Sequence, residues 1–254
     1  MSSTSRPSRE LLVGGGFWLL GNLAAAMTAV VVAGAFGWDL AATSGDGADV
    51  GRASIQIASG GSVDADVVPI WGTAIFQIPF WAALLFAPVV VTRGWRAMIE
   101  HYRVTVRWRS VPLGLASGLA CQIAVLPVLY WLLFSVLGDA DVGAPARALA
   151  ARAHGTLGVA VFVVFVVIAA PIAEELAFRG LLLRALEQLL SPIVALLISS
   201  VVFAAVHFQV VQFPGLLVFG LVAGALAQRT RGLMAPIAAH MAFNAVAAVT
   251  VLTT

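Results

Sequence analysis

The chain has 254 residues, 61% hydrophobic and 10% charged, with a formal net charge of +2. A soluble domain averages about 25% charged residues, so this balance excludes an ordinary soluble fold and points to a polytopic membrane protein. The single cysteine, Cys121, excludes an internal disulfide and reads as a packing residue in an apolar run, and no Cys/His pair has metal-binding spacing.

Residues 1–10 are polar, carry Arg6 and Arg9, and precede an apolar run from about Leu11 to Trp38. That run exceeds the roughly 7- to 15-residue core of a signal peptide, so it is expected to be a first transmembrane helix rather than a removed leader. A Gly/Asp/Ser-rich stretch from Asp39 to Asp66 reads as an extracytoplasmic loop, within which residues 53–57 alternate like a strand fragment. A second helix is expected over about Val67 to Val91. After it, Arg93, Arg96, Arg103, Arg107 and Arg109 cluster with Trp95, Tyr102 and Trp108. Between two spans, such a basic and aromatic mixture is a juxtamembrane segment that meets anionic lipid, so no nucleic-acid partner is expected.

A third helix is expected over about Val111 to Leu137, with a kink at Pro127, and Asp139 to Ala153 forms a second outer loop with a short interfacial helix at 146–153. A fourth helix starts near Gly155 and breaks around Leu190, before Ser191-Pro192. Three more follow, over about Pro192 to His207, Phe213 to Gln228 and Leu233 to Leu252. The expected fold is all-α: a polytopic membrane helix bundle of about seven transmembrane helices, with an N-terminal region at 1–154 and a second bundle at 155–254. This scheme puts eleven of the fourteen basic residues, all arginine, on one side. The positive-inside bias then places the N-terminus inside and the C-terminus outside a multi-pass protein of the bacterial cytoplasmic membrane.

One motif interrupts the hydrocarbon-soluble sequence: Pro171-Ile-Ala-Glu-Glu-Leu-Ala-Phe-Arg-Gly180. A charged side chain at mid-bilayer costs roughly 2.5 to 3.5 kcal/mol on insertion scales, so such groups mark a bundle interior or a wet cavity. Glu175 and Arg179 stand four apart with the acid first, the favoured order for an ion pair on one helix face. Glu174 points about 100° away and lacks that partner. One glutamate therefore reads as clamped, the other as free for chemistry.

Two further spans carry polar groups. His207 ends the fifth helix four residues after Phe203, and His240 and Asn244 share one face of the seventh. His101 and His154 lie in a loop and at a helix start, and neither is assigned a role. Burying polar side chains costs roughly 1 to 3 kcal/mol for each one left unpaired, which favours convergence of Glu174, His207, His240 and Asn244. A carboxylate in low-dielectric surroundings can act as general base on a water. An imidazole and a carboxamide can steady the oxyanion that forms when that water attacks a peptide carbonyl.

Glu174-Glu175-x-x-x-Arg179, Phe203-x-x-x-His207 and His240-x-x-x-Asn244, together with the glycine-rich lead-in Phe219-Gly220-x-x-x-Gly224, resemble the motifs of the CPBP family, the CAAX proteases and bacteriocin-processing enzymes also called the Abi family. The resemblance covers about Leu157 to Ala248 and extends to the eukaryotic type II CAAX prenyl protease. It implies an intramembrane endopeptidase acting on a membrane-associated protein or peptide. By position, Glu174 activates water with His207, His240 and Asn244 form the oxyanion site, and Glu175 and Arg179 orient the motif helix. Such enzymes are often classed with the metalloproteases, and Glu174, His207 and His240 would then be the zinc ligands here. A metal-free glutamate mechanism is favoured, because Arg179 is expected to commit Glu175 and leave no carboxylate to hold a ligand histidine from behind. Two other readings of the buried polar groups are an inactive membrane immunity or scaffold protein and a proton-coupled transporter. The expected depths, about 16 Å for Glu174, 22 Å for His207 and 10 Å for His240 at 1.5 Å per residue, require tilt or a helix break to reconcile.

Overall fold

The computed structural model describes residues 5–38, 68–104 and 108–253. Every regular element among them is helical, and the strand expected at 53–57 lies outside the described residues. The elements, in order, are α1 (Ser5–Phe36), α2 (Ile70–Thr92), α3 (Trp95–His101), α4 (Val111–Leu137), α5 (Ala144–Ala150), α6 (Gly155–Glu187), α7 (Pro192–Ala205), α8 (Phe213–Thr230) and α9 (Met234–Thr253).

Six of these are long and apolar enough to cross a membrane: α1, α2, α4, α6, α8 and α9. The expected fifth span, α7, is present but short. Its 14 residues rise about 21 Å, less than the roughly 30 Å of a hydrocarbon core. The start is fixed by Pro192 at N1 and by Ser191, whose side chain accepts from the Val194 N–H. The helix ends at Ala205, and Phe208 then adopts a left-handed φ of 53°. His207 therefore lies past the helix end.

The helices around it are wound unevenly, for a reason the sequence supplies. Proline has no N–H and clashes with the carbonyl of the preceding turn. In α4 a π-helical stretch, Cys121–Val125, comes just before Pro127. In α6 a second one, Val164–Ala169, comes just before Pro171, and a third, Leu176–Leu182, follows the glutamates. The distortion expected at Pro127 is thus a widened turn upstream of it.

α9 is the centre of the bundle: half of its most apolar stretch is buried, against 6% for α4. α4 nonetheless approaches α9 closely through Gly114 and Gly118, four residues apart. A Cβ on Gly118 would stand 2.0 Å from the Ala239 carbonyl oxygen, so only glycine permits this crossing. Cys121 is buried in an apolar cluster with Phe178, Phe203, Phe219 and Phe243, the packing role expected of it. The arginine-rich connector folds back onto the bundle: Tyr102 is fully buried, and Arg184 donates to the carbonyls of His101 and Tyr102 at 2.8 and 3.0 Å. Of the arginines expected outside, Arg152 is buried and donates to Thr73 at 3.2 Å, tying the start of α6 to α2.

Candidate active site

Glu174 and Glu175 are adjacent on α6, and helical geometry sends them to different surroundings. Glu175 is buried, with Arg179 Nη1 at 2.8 Å from its Oε1, the ion pair expected from the spacing. The same oxygen also lies 2.9 Å from His240 Nδ1. The expectation that Arg179 alone occupies Glu175 fails here, because α9 passes close enough to put an imidazole on the same carboxylate. Its second oxygen, Oε2, is buried without a hydrogen-bond partner among the described residues, so both stabilising contacts run through Oε1.

Arg179 is held on three sides. Nη2 donates to the Gly220 carbonyl at 3.2 Å, and the guanidinium lies 4.3 Å from the centroid of the Phe203 ring. Gly220 permits this, since a Cβ there would stand 3.1 Å from Ser200 Cβ on α7. Phe203 also meets His207 and His240 edge to face, with ring centroids 4.9 and 5.9 Å apart. One aromatic ring thus supports the arginine and both histidines.

Glu174 is partly exposed, its side chain at 16%, and Oε2 stands 3.9 Å from Nε2 of both His207 and His240. His207 Nδ1 lies 2.7 Å from the Phe203 carbonyl. A carbonyl only accepts, so Nδ1 carries the proton and Nε2 is left to face the carboxylate. His240 Nδ1 likewise faces an acceptor, Glu175, and presents Nε2 to the same point. A water about 2.8 Å from two such atoms subtends roughly a right angle between them, an ordinary hydrogen-bonding arrangement.

The fourth expected residue, Asn244, lines the cavity of about 150 Å³ that also holds Glu174 and His207. Its Nδ2 donates to the Val166 carbonyl at 2.9 Å. Val166 belongs to the π-helical stretch of α6, where the i→i+5 partner of its carbonyl is residue 171, a proline with no N–H. Asn244 therefore supplies the donor that Pro171 lacks, a structural task that helical spacing does not disclose.

The same cavity is walled on its other side by Trp18 and Asn22 of α1 and by Gln77 and Trp81 of α2. Sequence reasoning missed these residues. The available signal was an amide side chain inside each of two otherwise apolar spans, which is expensive unless it faces a polar interior.

Glu174, His207 and His240 are ligand types that zinc accepts, and each histidine is held at Nδ1 as ligand histidines usually are. The spacing does not match. Two donors at about 2.0 to 2.2 Å in a tetrahedral site stand about 3.4 Å apart, whereas both carboxylate–imidazole separations are 3.9 Å. Among the described residues, no three His, Cys, Asp or Glu side chains close on a common metal position.

Residues 156–246 match the family described as Rce1-like, type II CAAX prenyl endopeptidase. Comparison of the chain with curated proteins and with solved structures gives no match.

Proposed function

From the match of residues 156–246 to the Rce1-like family of type II CAAX prenyl endopeptidases, we propose that the chain is an intramembrane endopeptidase working by a glutamate-activated water. The family and six membrane-length helices make it an integral, multi-pass membrane protein whose substrates are membrane-associated. The observation that carries the mechanism is the pairing of two imidazole Nε2 atoms with one oxygen of a partly exposed carboxylate, each at 3.9 Å.

In this mechanism Glu174 takes a proton from a water held between it and His207, and the water oxygen attacks the scissile carbonyl carbon. The electron pair of the C=O bond moves to oxygen, and His240 Nε2–H and the Asn244 carboxamide stabilise that oxyanion. Nδ1 of His240 is committed to Glu175, so donation from Nε2 requires a doubly protonated ring, and the Glu175 carboxylate supplies its counter-charge. As the tetrahedral intermediate collapses, the C–N bond breaks and the proton on Glu174 passes to the leaving amine. Arg179, through Glu175, fixes the height and orientation of His240. No step is routed through a metal, given the wide donor spacing.

The positive-inside bias puts the N-terminus in the cytoplasm, and with the short α7 counted as a seventh crossing the C-terminus lies outside. Reporter fusions after residues 60, 100, 145 and 254 are expected to read out, in, out and out. The function itself is tested by comparing protein N- and C-termini in the membrane proteomes of cells expressing the wild type and Glu174→Ala. New termini that depend on Glu174 support a protease. Identical termini together with a Glu174-dependent transport current would instead support the transporter reading.

A further inference from the structure

Where α3, α6, α7 and α8 meet at one end of the bundle, a cavity of about 640 Å³ is lined by His101, Arg103, Arg184, Glu187, Gln228 and Arg231. It shares no lining residue with the cavity at Glu174; Arg179, paired with Glu175, also borders it, while the proteolytic mechanism makes no use of the six residues named above.

Its charges do not balance. Four guanidinium groups line the cavity; Arg179 is already paired with Glu175, and the other three face one lining carboxylate, Glu187, whose Oε1 accepts from Gln228 Nε2 at 2.8 Å. Arg184 donates to two backbone carbonyls, which fix its position, and Glu187 and Glu10 offset its charge, so the excess rests on Arg103 and Arg231. Arg103 and Arg231 are exposed at the rim, and neither side chain makes a hydrogen bond or ion pair among the described residues. Arg103 follows the end of α3 and Arg231 caps α8, both in left-handed backbone at φ 50° and 51°, so two chain reversals deliver their arginines to one opening.

An excess of guanidinium over carboxylate groups suits a ligand with several anionic oxygens, which the planar donors engage in pairs. We propose that this cavity binds a phosphate-bearing anion, and that the phosphate is presented by an anionic phospholipid headgroup. The cavity lies at the ends of the membrane-length helices α6 and α8, where headgroups sit, and its volume exceeds that of a phosphate alone. Basic pockets between helix ends hold lipid headgroups through the same contacts.

The test uses the full-length protein, purified and delipidated in detergent, and reads binding rather than cleavage, so its failure is separable from failure of the protease assignment. Native mass spectrometry measures retention of phosphatidylglycerol against phosphatidylcholine. Thermal denaturation with inorganic phosphate forms the second arm. Wild type is expected to prefer phosphatidylglycerol. The double variant Arg103→Gln/Arg231→Gln is expected to lose about 30-fold in that affinity, the combined strength of two arginines at a headgroup surface. Arg229→Gln, an exposed arginine that does not line the cavity, is expected to behave as wild type. All three are checked for the same elution profile in gel filtration, since the substituted side chains are exposed. Stabilisation of the wild type by inorganic phosphate, lost in the double variant, without any preference among lipids would keep the anion site and overturn the lipid source. Equal losses in Arg229→Gln and the double variant, or no preference in either arm, would overturn the site.

Discussion

Around residues 174–179, α6 presents two faces that differ in one respect above all, access to water. On the wet face, Glu174 and His207 keep 16% and 22% of their side chains exposed and border a cavity. On the dry face, Glu175 and Arg179 are at 0% and 1%, and His240 at 6%. Two neighbouring glutamates of identical intrinsic chemistry thus receive different surroundings: Glu174 borders a cavity, whereas Glu175 is enclosed between Arg179 and His240. His240 joins the faces, with Nδ1 on Glu175 and Nε2 towards Glu174.

The largest stability effect is expected on the dry face. Arg179→Ala leaves the Glu175 carboxylate buried beside His240 alone, and breaking one side of a buried pair costs about 3 to 5 kcal/mol. Yield of folded protein and thermal unfolding in detergent should both fall sharply, with Glu175→Ala close behind. A stable Arg179→Ala protein would erase the distinction between the faces.

Asn244→Ala sharpens the comparison, because Asn244 both lines the cavity of Glu174 and holds the Val166 carbonyl. Loss of one oxyanion donor is expected to lower turnover about 100- to 1,000-fold, while losing the hydrogen bond to Val166 costs about 1 kcal/mol of stability. Measuring turnover and unfolding on the same sample separates the two roles, and a loss of stability without a loss of turnover would leave Asn244 purely structural.

Gly118→Ala probes how the centre helix is seated. The added Cβ meets the Ala239 carbonyl, next to His240, and overpacking of this kind costs about 1 to 3 kcal/mol. Unfolding should move down accordingly, and turnover should drop as well because His240 is displaced with its neighbour. The smallest expected effect is none: exhaustive chelation should leave the activity of purified enzyme unchanged. Stoichiometric zinc in the active enzyme, with activity lost on its removal and restored on its return, would reverse that reading.

Much of this was legible in the sequence because membrane helices obey a strong constraint. Apolar runs of spanning length located α1, α2, α4, α6, α8 and α9, and the i,i+4 spacing of Glu175 and Arg179 foretold their ion pair. Periodicity treats a helix as uniform, however, so it did not show that Pro171 and Pro127 would widen the turns before them, or that Asn244 would be drawn to the orphaned Val166 carbonyl. The sharing of Glu175 between Arg179 and His240 depends on how closely α9 passes α6, which no local pattern encodes. Asn22 and Gln77 were visible as amides in apolar spans, but only the folded chain carries them from the N-terminal helices to the cavity of Glu174.

The central claim is that Glu174, on the wet face, is the base that activates water. The most direct measurement is cleavage by purified Glu174→Gln, assayed on a substrate identified from Glu174-dependent termini, in a preparation whose unfolding temperature matches wild type. The substitution keeps the shape and removes the charge. Insertion and stability should be unchanged and cleavage should fall to the enzyme-free level, whereas turnover at the wild-type rate would contradict the account.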